Sequence, residues 1–94
     1  MSTSLQKEII ELEMISLSEM EIKSHLKESI EKTAFLYEVI NTKDLPEENK
    51  AYLREYWKIK LEVLLRMYSA KIGNPLFFLT KREVDVVEKY SDGI

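Results

Sequence analysis

No cysteine occurs among the 94 residues, so disulfides, thiolate metal sites and cysteine nucleophiles are excluded and packing alone must hold the fold. Glycine and proline are nearly as scarce, at two each. A sheet protein of this size needs on the order of five or six turns rich in such residues, so their shortage favours a few long helices. The two glycines, Gly73 and Gly93, are also too far apart to form a phosphate-cradling loop. Serine occurs eight times, but none lies in the Gly-flanked strand-to-helix turn that exposes a serine nucleophile. No apolar run reaches the roughly 20 residues that span a bilayer. Met1-Ser2-Thr3-Ser4 lacks the basic and then apolar order of a signal peptide. Secretion and membrane insertion are not expected, and a cytoplasmic location is.

What is present is helical in character. The length suits one domain, residues 1–94, with a single modest core. Hydrophobic residues at 45% beside charged residues at 33% argue against disorder and for helices with solvated outer faces. Formal charge is −3, which gives no general attraction to nucleic acid. The charges are unevenly spread: residues 1–43 hold five Lys and eight Glu, whereas residues 54–82 hold seven Lys or Arg against Glu55 and Glu62.

The spacing predicts a first helix from Thr3 or Ser4 to Ser16. Leu5, Ile9 and Leu12, with Ile10 and Met14, form its inner side, and Lys7, Glu8, Glu11 and Glu13 its outer side. Ser18 and Glu21 have the spacing of a capping box, so a break precedes a second helix over 19–41. Its apolar stripe is Ile22, Leu26, Ile30, Ala34 or Phe35, Tyr37 and Ile40. Asp44, Pro46 and Glu47 mark another helix start. From there residues 47–72 run without glycine or proline and carry two apolar rows. Leu53, Trp57, Leu61, Leu64 or Leu65 and Tyr68 form one, and Tyr52, Tyr56, Ile59, Val63 and Met67 form the other. Such a wide apolar arc belongs to a central helix with more than one neighbour, and Trp57 is expected in the core. Gly73 and Pro75 stop it. After the apolar connector Leu76-Phe77-Phe78-Leu79, Thr80 and Glu83 form a further capping box before a short helix with Val84, Val87 and Tyr90. The expected fold is all-α: an antiparallel bundle of three or four helices around the long helix at about 47–72.

Candidate chemistry is sparse. His25 stands at i+4 from Glu21 and i−3 from Glu28, but a carboxylate-bundle metal site repeats such a pair on a second helix and no second histidine exists. A surface histidine, no metal and no cofactor are expected. Tyr52, Tyr56, Trp57 and Tyr68 alternate with Arg54, Lys58, Lys60 and Arg66 in the way that single-strand binders combine rings for stacking with cations for phosphate. Helical spacing also accounts for them as core residues beside basic stems. The run Leu76–Leu79 either plugs the end of the bundle or docks a partner or second copy.

Tyr52-Leu53-Arg54-Glu55-Tyr56-Trp57-Lys58-Ile59-Lys60, followed after a linker by Leu79-Thr80-Lys81-Arg82-Glu83 and a short apolar helix ending at Tyr90, resembles the helical domain of GINS subunits over residues 49–94. GINS subunits link helicase and polymerase activities at the replication fork, and their corresponding helices build a subunit interface. No segment here matches the small β-rich domain usual in that family. Leu79-Thr80-Lys81-Arg82-Glu83 with Val86 and Ser91-x-Gly93 is also similar to the first helix of LuxR-type helix-turn-helix domains, although residues 1–94 include no match to their recognition helix.

The expected function is thus non-enzymatic: an adaptor or accessory subunit binding a protein partner through a helical face, in a DNA replication assembly on the GINS resemblance. The resemblance makes Tyr52, Tyr56, Lys58, Phe77 and Phe78 the candidate partner surface. The alternative is a nucleic-acid-binding regulator using Arg54, Lys58, Lys60, Arg66, Lys71, Lys81 and Arg82. A self-associating bundle is a third reading.

Overall fold

The computed structural model describes residues 2–91, with side chains from Leu5 to Ser91. Gly93 of the LuxR-like ending lies outside them. Four α-helices follow one another: α1 (Ser2–Met14), α2 (Glu19–Glu38), α3 (Glu47–Lys71) and α4 (Lys81–Tyr90), with single 3-10 turns at Ile40–Thr42 and Pro75–Phe77. There is no strand among the described residues. The all-α bundle expected from the sequence is what the chain forms.

Both capping boxes close. The Glu21 amide donates to Ser18 Oγ at 3.2 Å while the Ser18 amide donates to Glu21 Oε1 at 2.9 Å. The Thr80 and Glu83 pair does the same at 3.2 and 2.8 Å. Each exchange satisfies two amides that a helix start leaves without partners. At α3 the helix begins at Glu47 as expected, but Pro46 occupies the N-cap and no side chain bonds there. The Pro46 carbonyl accepts from the Asn49 and Lys50 amides at 3.1 and 3.2 Å, so the ring's fixed φ sets the entry without a side-chain acceptor. Gly73, at φ +148°, ends α3 with its amide bonded 3.0 Å from the Tyr68 carbonyl.

Across the molecule the packing order is α1, α3, α2, α4, with α3 meeting α2 along most of its length and α4 seated chiefly on α2. The short connectors alternate the helix directions. Leu5 and Ile9 lie beside Tyr52 while Leu12 and Ile15 lie beside Met67 and Lys71, so α1 runs the same way as α3, and α2 runs against both. A Cα envelope of 39 × 31 × 20 Å is about one 25-residue helix long and two helices thick.

The core is built on the lower part of α3, where Leu61, Val63, Leu64, Leu65 and Tyr68 are buried against Ile22, Leu26 and Ile30 of α2, Val86 and Val87 of α4, and Ile10 and Met14 of α1. Trp57 is not part of it. Its ring is half-buried, edge-on to Tyr56 at 5.4 Å, with the Lys60 ammonium 4.8 Å from its centroid. The N-terminal turns of α3 lie beyond this segment, beside the end of α2, where Arg54 bonds the Leu36 carbonyl.

Ser29 and Thr33 of α2 are fully buried, and their hydroxyls have no hydrogen-bond partner among the described residues. An unpaired buried hydroxyl costs about 1–3 kcal/mol, and an apolar group of the same shape does not. Thr33→Val is therefore expected to raise stability by about 1 kcal/mol, seen as a higher urea midpoint at unchanged slope; a lower midpoint would show that the hydroxyl is satisfied in solution.

Candidate functional site: the outer face of α1

Of the five residues expected on the inner side of α1, the fold buries only two. Ile10 and Met14 face the core, whereas Leu5, Ile9, Leu12 and Ile15, the first three expected on the inner side, are 60%, 48%, 71% and 67% exposed. Periodicity locates a stripe on a helix but not the neighbour it will meet. With α3 on one side only, α1 can bury one stripe, and the choice falls to Ile10 and Met14.

The exposed stripe borders two shallow depressions against α3. One, of about 230 Å³, is lined by Leu5, Gln6, Ile9, Tyr52 and Glu55. The other, of about 520 Å³, is lined by Glu8, Glu11, Leu12, Ile15, Met67 and Lys71. Carboxylates stand along this face. Burial pushes the Tyr56 phenol above its ordinary pKa, and the charge of Glu13 adds to the effect.

Of the partner residues expected from the sequence, Tyr52 joins this face and is exposed; Tyr56 and Lys58 are half-buried. Phe77 and Phe78 divide. Phe77 is 90% exposed. Phe78 turns inward, stacked on Tyr68 at 5.3 Å, with the Lys23 and Lys27 ammoniums 5.7 and 5.1 Å from its ring centroid. The connector is thus half plug and half surface: Leu79 is buried with the core, and Phe77 contributes nothing to it. Phe77→Ser is expected to move the melting temperature by no more than about 3 °C, whereas a fall of ten degrees or more in a thermal melt would place the ring in the core.

The basic side chains of the alternative reading do not gather on one face. Lys58 and Lys60, two residues apart, point to opposite sides of α3. Arg54 is engaged inside the fold: its Nε donates to the Leu36 carbonyl at 3.0 Å, and its terminal nitrogens reach Asn41 Oδ1 and Glu47 Oε2. Lys60 lies over Tyr56 and Trp57, Lys71 is within 3.5 Å of the Ile15 carbonyl, and Arg82 pairs with Glu38 at 3.4 Å. Arg66 and Lys81 are exposed elsewhere on the surface.

The carboxylates with shifted pKa are explained by capping. The Ser18 amide and hydroxyl hold Glu21 below the usual range. For Glu83, burial pulls upward, but hydrogen bonds from Thr80 and the Lys27 ammonium at 3.0 Å outweigh it and the net shift is down. His25 lies 3.8 Å from Glu28, and no group of three His, Asp or Glu among the described residues could hold a metal ion. Nor is any helix among them long and apolar enough to cross a membrane.

No protein-family model, curated protein or solved structure matches the chain.

Proposed function

We propose that this chain is a non-enzymatic accessory subunit that binds a protein partner through a helical face. The observation that carries the reading is the row Leu5, Ile9 and Leu12 left open on α1, continued by Ile15 in the turn that follows and by Tyr52 on α3. Single exposed apolar side chains are ordinary, but a contiguous row rimmed by charge is the pattern of an interaction surface. The shifted carboxylates serve helix caps, so they give no support to acid–base catalysis. The dispersal of the basic residues around α3 counts against a continuous phosphate-tracking groove. The likeness of residues 49–94 to GINS helical domains makes a DNA replication assembly the first setting in which to seek the partner.

Affinity capture of the full chain from native extract tests the reading. The wild-type protein is expected to retain a stoichiometric protein partner that Leu12→Ser releases. Recovery of the wild-type chain alone at every concentration would contradict it, as would DNA binding that is tight at low salt and falls steeply as salt rises.

A further inference from the structure

On that reading, we infer that the outer face of α1 is a short coiled-coil seam whose occupant is a basic amphipathic helix of another protein. Leu5, Ile9 and Leu12 are spaced by four and three residues, the alternation that puts apolar side chains on a seam between two helices, with Ile15 beside its far end. The positions flanking such a seam select the partner by charge. Here they include Glu8 on one side and Glu13 on the other, both exposed. The one cation of α1, Lys7, belongs to neither flank: at about 100° per residue it falls on the far side of the helix from Leu5 and Leu12. Lys71 of α3 borders the same depression as Glu8 and offsets part of the charge on that side.

The charges also decide against a second copy. In a parallel pairing of two α1 helices Glu8 of one chain faces Glu13 of the other, and in an antiparallel pairing like positions face one another. Carboxylate meets carboxylate in both cases. A helix with Leu or Ile on its seam and Lys or Arg beside it meets the same face with opposite charge on each flank, gaining both apolar burial and selectivity. An anionic membrane surface is disfavoured by the same carboxylates.

The test uses the full chain and two labelled synthetic peptides of about three heptads, identical in their Leu and Ile seam and differing only in Lys or Glu at the flanking positions. Fluorescence anisotropy at low salt should show the lysine peptide binding at least about tenfold more tightly than the glutamate peptide, and binding should weaken as salt rises. Glu8→Lys combined with Glu13→Lys should reverse the preference. Leu12→Ser should weaken the lysine peptide by about tenfold or more while moving the melting temperature by no more than about 3 °C, since the side chain lies outside the core. Equal affinity for the two peptides, or no effect of Leu12→Ser, would overturn the inference. So would a stable wild-type dimer in light scattering that Leu12→Ser dissociates, or co-sedimentation with phosphatidylserine vesicles. A native partner that survives the double charge reversal but is released by Leu12→Ser would overturn the basic-helix assignment and leave the adaptor reading standing; recovery of the chain alone removes both.

Discussion

Replacing Leu61 by alanine is expected to lower stability by about 3 kcal/mol, because removal of a fully buried leucine forfeits its transfer free energy and leaves a cavity that neighbours fill only in part. Leu61 is completely inaccessible and stands in the cluster that joins all four helices. For a domain of this length the loss corresponds to a fall in melting temperature of about 12–24 °C, read from the helical circular dichroism signal. Leu12→Ala, made on the exposed stripe of the adjoining helix, is the control and should shift the midpoint by no more than about 3 °C. Comparable losses at both positions would mean that α1 buries its other face in solution, and the open surface would disappear with it.

The second large effect belongs to Arg54. Its guanidinium fork bonds the Leu36 carbonyl, one of the last four acceptors of α2 that the helix itself leaves without partners. It also reaches Asn41 in the following turn and Glu47 at the start of α3, and lies 5.8 Å from the Tyr37 ring centroid. One side chain thus ties the end of α2, the Ile40–Thr42 turn and the beginning of α3 together. Arg54→Ala should cost about 2 kcal/mol, mostly from the orphaned carbonyl and little from the exposed Glu47 pair. Arg54→Lys should recover less than half of that, since an ammonium cannot reproduce the planar fork. Urea unfolding with amide exchange at the end of α2 checks both points, and full recovery by lysine would reduce the residue to a point charge.

Local chemistry was legible in the sequence wherever a few adjacent residues decide it. Ser18 with Glu21 and Thr80 with Glu83 read as capping boxes because both partners lie within one turn, and the break between α1 and α2 follows from the first of them. The length of α3 followed from a stretch without breakers, with Gly73 and Pro75 marking where it stops. Its start at Glu47 was marked by Asp44, Pro46 and Glu47, with Pro46 fixing the backbone where the helix begins.

Tertiary choice was not legible. The apolar residues of α1 were all expected on its inner side, yet only Ile10 and Met14 are covered while Leu5, Ile9 and Leu12 stay open, and only the position of α3 settles that division. Trp57 shares a row with Leu61 and Tyr68, yet the row continues beyond the core and its first turns stay half-open. The role of Arg54 was hidden for a related reason. Its acceptors, Leu36 and Asn41, lie on other elements and come within reach only when α2 and α3 pack side by side. The candidate site is thus the part of the molecule that sequence periodicity assigned to the inside, with only Tyr52 of the expected partner residues belonging to it.

The claim that the molecule acts through this open face is tested most directly by nuclear magnetic resonance. The full isotope-labelled chain would be titrated with the lysine-flanked heptad peptide, and amide shifts followed residue by residue. Changes are expected along Leu5 to Ile15 and at Tyr52, with the signals of Leu61, Leu64 and Val87 unmoved. Changes centred instead on Lys58, Arg66 and Lys81, or spectra that stay the same at saturating peptide, would contradict it.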